Sequence, residues 1–159
     1  MSDLLMGTYK LKKQLGAIQI SSDTSPKKLS EMLEIMIEYV ESDLCIIVEE
    51  CEGDNSYWSP TPITLIEDLD HFGTIELGDQ QSEFEKIISL AHEVGHCALE
   101  SNINFGDFEE IIFKEAVAWF LGYEYFLSRG WEIDLEHYRE SASIALNNYI
   151  RSLNERNVK

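Results

Sequence analysis

The run His92-Glu93-Val94-Gly95-His96 constrains this chain more than any other. Two histidines four residues apart project from one face only on an α-helix, where four residues advance a little over one turn and about 6 Å along the axis. On that face two imidazoles can share one zinc ion. Glu93 falls next round the helix, close to where a metal-bound water would lie and not obliged to be a ligand.

The flanking residues supply the helix. Ser82-Glu83-Phe84-Glu85 reads as a capping box, with Ser82 as N-cap and Glu85 at N3. Apolar residues then recur at Phe84, Ile87, Ile88, Ala91, Val94, Ala98 and Leu99, a helical period. The histidines therefore sit in the middle of an amphipathic helix.

A catalytic zinc site needs three protein ligands and one open position. A third histidine six residues after the second, with glycine midway, is one solution. Leu99 and Asn102 occupy those positions and exclude it. A glutamate from a following helix is the alternative, and Glu115 is the candidate. Phe108, Ile111, Ile112, Ala118, Trp119, Tyr123 and Phe126 form one apolar stripe, and Glu115 falls in its middle. A lone carboxylate buried there is costly unless it has a partner, and a metal is a suitable one. The small residues Ala116, Ala118 and Gly122 would let this helix approach the histidine helix closely. A Glu115 at the stripe's edge, in water or paired with Lys114 or Arg129, is the competing reading. Glu100, one turn past His96, makes a poorer third vertex.

The rest of the chain reads as an α+β domain. Residues 1–13 are a short helix or a frayed start, and Gln14 to Ile20 alternates as a strand. A helix from Pro26 to Glu41 buries Leu29, Met32, Leu33 and Met36 among others. Leu44 to Val48 is a strand, Glu52 to Ser56 a loop, and Tyr57 to Pro62 extended chain ahead of prolines. Ile63 to Ile66 and Thr74 to Leu77 read as strands that could pair as an antiparallel hairpin. After the motif helix comes a connection at 100–106. The glutamate-bearing helix is capped by Asp107, with Glu110 at N3, and stops at Arg129-Gly130. A last helix runs from about Asp134 to Leu153.

At 159 residues this is one domain with a core over roughly 44–128, an acidic N-terminal portion 1–43 and a C-terminal helix within 131–155. The net charge is -18, and no Lys or Arg occurs from Leu29 to Glu85. Such a field repels phosphate backbones, which excludes direct nucleic-acid binding, and it could attract a basic partner or substrate or merely maintain solubility. No apolar run is long enough to cross a bilayer. The start lacks a basic segment followed by an apolar one, so no secretory signal is expected. Cys45, Cys51 and Cys97 show no C-x-x-C spacing and read as reduced thiols in a cytoplasmic protein.

The stretch Glu-Phe-Glu-Lys-Ile-Ile-Ser-Leu-Ala-His-Glu-Val-Gly-His, followed by Lys-Glu-Ala-Val-Ala-Trp-Phe, resembles the gluzincin-type zinc metallopeptidases, and among them the ImmA/IrrE-like family. The likeness covers roughly residues 74–121. Val117 stands where the family has Asn. The resemblance implies a minimal zincin-like domain, with a small mixed or antiparallel sheet packed on the motif helix and the glutamate-bearing helix. It also implies metal-dependent peptide hydrolysis in bacteria, phages or mobile elements, in some members directed at a transcriptional repressor.

As an enzyme of this kind, the chain would hold Zn²⁺ with His92, His96 and Glu115, and Glu93 would act as general base. A further group would steady the oxyanion. Tyr123, Tyr125, His71 and His137 are candidates, and Tyr123 is favoured as lying two turns beyond Glu115 on roughly the same face. Thr74 to Leu77 could be a sheet edge that receives a peptide or protein substrate. One alternative is an acidic, non-enzymatic binding or inhibitor protein with a structural zinc. Another is a zinc hydrolase of a non-peptide amide, similar to peptide deformylase, with Cys45 or Cys51 as third ligand.

Overall fold

A computed structural model of the chain describes residues 18–100 and 108–157. The segment read as 1–13, the start of the first strand, the connection after the motif and the cap at Asp107 lie outside the described residues. The element order is β1 (Ile18–Ile20), α1 (Pro26–Leu44), β2 (Ile47–Cys51), β3 (Tyr57–Pro60), a short helical turn with α2 (Ile66–Leu69), β4 (Gly73–Gly78), α3 (Glu83–Glu100), α4 (Phe108–Ser128), β5 (Trp131–Ile133) and α5 (Leu135–Asn157). The fold is thus mixed α+β. No described helix is long and apolar enough to cross a membrane.

Helix starts follow their local chemistry. The Ser25 side chain accepts a hydrogen bond from the Lys28 N–H, with Pro26 at the first helical position. Helix α3 carries the full capping box. Glu85 N–H donates to Ser82 Oγ at 3.2 Å, and Ser82 N–H donates to Glu85 Oε2 at 2.8 Å. Asp134 caps α5 by accepting from the Glu136 N–H at 3.1 Å. Gly130, at φ 87°, closes the turn after α4.

The sheets depart from the sequence reading in three places. Helix α1 runs on to Leu44, and Cys45 ends it in the left-handed region at φ 52°, so the next strand begins at Ile47 rather than Leu44. Residues 63–66 are not a strand. Leu65 N–H donates to Pro62 O at 2.8 Å, and the chain coils through α2 until Asp70, also left-handed, donates its N–H to Ile66 O. The antiparallel partner of β4 is β3 instead, with Trp58 opposite Ile75 and Ser59 opposite Thr74. Strand β2 pairs parallel on the other side, Val48 opposite Ile75. Both sides of β4 are therefore taken, and Ile63 is left 88% exposed. For the same reason β4 is the central strand and not an edge; the edges are β2 and β3. Strand β5, inside the segment read as the C-terminal helix and its approach, pairs parallel with β1, Ile18 opposite Trp131.

One cluster of buried side chains joins these parts. Leu29, Leu33, Met36 and Val40 of α1, Ile75 and Leu77 of β4, Ile87, Leu90, Ala91 and Val94 of α3, and Phe126 of α4 belong to it. The most intimate packing is between α3 and α4. A Cβ on Gly95 would lie 1.7 Å from Ala118 O, and one on Gly122 would lie 1.8 Å from Ala91 O. Going from 95 to 91 along one helix matches going from 118 to 122 along the other, so the two run antiparallel with backbones in direct contact.

Those contacts are with backbone carbonyls, which cannot rotate aside as a side chain would. Gly95→Ala and Gly122→Ala should each destabilise the protein by about 2 kcal/mol or more, near the upper end of overpacking costs. Denaturant titration should show this as a lower midpoint at unchanged slope. An unaltered midpoint in either variant would refute the close crossing.

Candidate functional site

The crossing sets the position of Glu115. It lies one turn before Ala118 on α4, while His92 and His96 flank Gly95 on α3. His92 Nε2 is 3.0 Å from Glu115 Oε2, and His96 Nε2 is 3.1 Å from Glu115 Oε1. Ligand atoms of all three residues lie within 4.8 Å of one another, an arrangement that could hold a metal ion. Glu115 is buried at 8% exposure, as its place in an apolar stripe requires. No cysteine belongs to the group: Cys45 and Cys51 sit at the end of α1 and on β2.

The three face a cavity of about 480 Å³, which Glu93 also lines. Its walls come from distant segments. Ser56, Tyr57 and Trp58 form the β3 side, Gln81 and Ser89 lie before and within α3, and Ala145 and Tyr149 belong to α5. Trp119, one turn after Glu115, stacks flat on the His92 ring, with centroids 4.0 Å apart and planes 8° from parallel. Tyr138 in turn packs edge-on against Trp119 and donates to its backbone carbonyl at 2.6 Å. The His92 imidazole is thus held from behind by a rigid aromatic pair.

Electrostatics divide the two carboxylates. Burial raises Glu93 to about 7, partly countered by the His96 ring and by a backbone hydrogen bond from Trp58. Burial also acts to raise Glu115, but hydrogen bonds from His92 and His96 outweigh it and bring it down to about 2. Burial lowers His92, with the Glu115 hydrogen bond in opposition. For His96 burial acts downward as well, and there the hydrogen bond and charge of Glu115 prevail and raise it. Glu115 is therefore anionic across the working range, while Glu93 sits near neutrality.

The structure brings His92, Glu93, His96 and Glu115 together, and none of the four sequence candidates for the fourth group joins them. Tyr123 packs against Tyr138 in the core, ring centroids 5.2 Å apart, and does not line the cavity. A residue two turns beyond Glu115 drifts round the helix enough to leave that face. Tyr125 donates to Asp43 at 2.6 Å on the far side of α4. His71 pairs with Thr61 and His137 with Asp134, both away from the cavity. Of the two tyrosines that line the cavity, Tyr57 and Tyr149, it is Tyr149 that shares a hydrogen bond with Glu115. In the sequence it is one more apolar position of the last helix, and no local signal marks the fold-back that brings it in. Trp58 likewise reads only as extended chain before a proline.

No protein-family model, curated protein or solved structure matches this chain.

The raised Glu93 gives a pH test on metal-free protein. Folded Glu93 binds its proton more tightly than the unfolded chain does, so its contribution to stability is complete below pH 4.5 and is lost as pH rises through about 7. Glu93→Gln has no proton to lose. Its stability relative to wild type should climb by on the order of 2 kcal/mol between pH 4.5 and 8, then level off. Denaturant titrations at both pH values measure this, and parallel stability curves for the two proteins would count against the shift.

Proposed function

We propose that this chain is a zinc-dependent peptidase of the gluzincin type, similar in its motifs to the ImmA/IrrE-like family. The observation that carries the reading is the geometry around Glu115. Ligand atoms bound at about 2.0–2.1 Å to a tetrahedral zinc lie about 3.3 Å apart. The Glu115 carboxylate faces both rings, Oε2 at 3.0 Å from His92 Nε2 and Oε1 at 3.1 Å from His96 Nε2, each near that edge length, and the donor set of two imidazoles and one carboxylate suits zinc. A structural zinc site closes with four protein ligands, whereas among the described residues this one offers three and an open cavity.

Zinc bound here would supply a Lewis acid and a water of near-neutral acidity. The chain's own residues do the rest. Glu93 lies in the same cavity outside the ligand group, with its proton affinity tuned near neutrality, so it can take a proton from water and return it to the leaving amine. The Trp58 N–H holds the Glu93 carboxylate in place. Tyr149, 41% exposed, is raised by partial burial and by the Glu115 charge and hydrogen bond, and so remains a proton donor at neutral pH. It takes the oxyanion-stabilising role that the sequence assigned to Tyr123.

Strand β3 suits the recognition of extended peptide. Thr61 N–H donates to Phe72 O at 2.8 Å, so by alternation Trp58 and Pro60 turn their backbone groups away from β4. Pro60 has no N–H, and the Trp58 N–H is engaged by Glu93. This outer side of β3 borders the cavity, where an extended substrate could run alongside the strand.

Metal analysis tests the reading directly. Wild type and Glu93→Gln should each hold one zinc per chain, and His92→Ala and Glu115→Ala should lose affinity by about 100-fold or more, as expected for a ligand removed outright. Glu93→Gln should cut hydrolysis of unstructured protein substrates by about 10²–10⁴-fold. A Glu115→Ala variant that retains zinc at wild-type affinity would overturn the ligand assignment. A wild type that binds no metal would leave an acidic binding protein as the better description. Tyr149→Phe should keep the metal and lower kcat about 100-fold; unchanged kcat would remove Tyr149 from the mechanism.

A further inference from the structure

The cleft continues past the candidate metal centre. A second cavity, about 510 Å³, shares Asp54, Gln81, Ser89 and Ala145 with the first. The two form one groove with a built ridge between them. Gly78 N–H donates to Ser56 Oγ at 3.3 Å, Ser56 Oγ donates to Gln81 Oε1 at 2.9 Å, and Gln81 Nε2 donates to Ser89 Oγ at 2.9 Å. Both ends of the Gln81 amide are committed, so its plane is fixed and the ridge is rigid.

Beyond the ridge the lining combines the uncharged polar residues Gln80, Ser141 and Asn148 with an apolar floor and an acidic rim. Ile88, Ile144 and Ala145 are apolar, and Ile88 is buried beneath the surface as floor. Asp54 and Glu85 stand exposed on the rim, and among the described residues no Lys, Arg or His lines the cavity. Lys86, the neighbour of Glu85, is buried and turned away onto Glu50 at 2.9 Å and Glu83 at 3.6 Å, so it does not neutralise that rim. An apolar floor below an anionic rim suits a side chain with a long aliphatic stem and a cationic head.

We propose that this second cavity is a substrate subsite for a lysine or arginine side chain, one residue position removed from the bond held at the metal centre. The cavity exists without metal; only its role in selecting a peptidase substrate rests on the proposed function. It gives the acidic field of the chain a local purpose, because the side chain that the rim attracts also fits the groove.

The test has two arms. In the first, acetyl-lysine methylamide and its neutral isostere acetyl-norleucine methylamide are titrated into metal-free protein while amide resonances are followed by NMR. The lysine compound should shift Ser89 and Ile144 and bind about fivefold tighter than norleucine, the size expected of exposed ion pairs. In Asp54→Asn/Glu85→Gln that advantage should vanish. The glutamine at 85 keeps the capping box, so the variant should fold. Equal binding of the two compounds, an advantage that survives the double substitution, or shifts confined to other acidic surfaces would each overturn the subsite. In the second arm, zinc-loaded protein meets acetohydroxamate, lysine hydroxamate and norleucine hydroxamate, with binding read by calorimetry. Tighter binding of lysine than norleucine hydroxamate, lost in the double variant, supports the subsite beside the metal. Loss of all hydroxamate binding while the NMR shifts stand would sink the metal centre and leave the basic side-chain site in place.

Discussion

The contact of two helix backbones at Gly95 and Gly122 is what the site depends on. Helix α3 alone presents two imidazoles to a groove. Only where its backbone touches that of α4 does the Glu115 carboxylate come within 3.0 and 3.1 Å of both rings. The contact is possible because the two glycines meet Ala118 and Ala91, residues with little or no side chain. The same proximity places Trp119 flat against His92. Packing, ligand geometry and the orientation of a ring thus follow from a few missing methyl groups. Gly95 lies inside the histidine motif itself, so one residue of the motif serves the fold while its neighbours serve the chemistry.

Two carboxylates sit in one cavity and are driven in opposite directions. Glu115 has two imidazole partners and is pulled down; for Glu93 burial, joined by the Glu115 charge, outweighs the His96 ring and the Trp58 hydrogen bond and pushes it up. Environment alone separates a permanent anion from a group poised to exchange protons, the division of labour that acid–base chemistry at neutral pH requires. The walls of the cavity continue the same logic. Besides the two imidazoles they carry hydroxyls, amides and carboxylates, and among the described residues no Lys or Arg, so the cleft favours donors and positive charge.

Much of this was legible in the chain, for reasons tied to particular residues. Ser82 and Glu85 sit three apart and satisfy each other's backbone N–H groups within one turn. Glu115 stood out because a carboxylate interrupts an apolar stripe. The hairpin at 63–66 was misread because Ile63 and Thr64 favour strands by type, whereas β3 and β2 occupy both sides of β4. Trp58 of β3 lies opposite Ile75, and the 63–69 segment coils outside. Tyr123 was misplaced because eight residues turn the helix about 80° beyond two full turns, which separates a wall of the cavity from the packing behind it.

Within the chain, caps, helical periodicity and the four-residue spacing of His92 and His96 are local properties. They act over one or two turns and need no distant partner, which is why the sequence by itself determined the motif helix, the glutamate-bearing helix and three of the site's residues with their spacing. It also determined the acidity of the surface. The pairing of β3 with β4, the burial that tunes Glu93, and the arrival of Trp58, Gln81 and Tyr149 at the site are contacts between segments separated by many residues. Their energies depend on which surfaces meet, and that is set only when the whole core closes. The tertiary structure alone therefore decided which strand edges the cleft, which tyrosine faces it, and how far the groove extends beyond the metal centre.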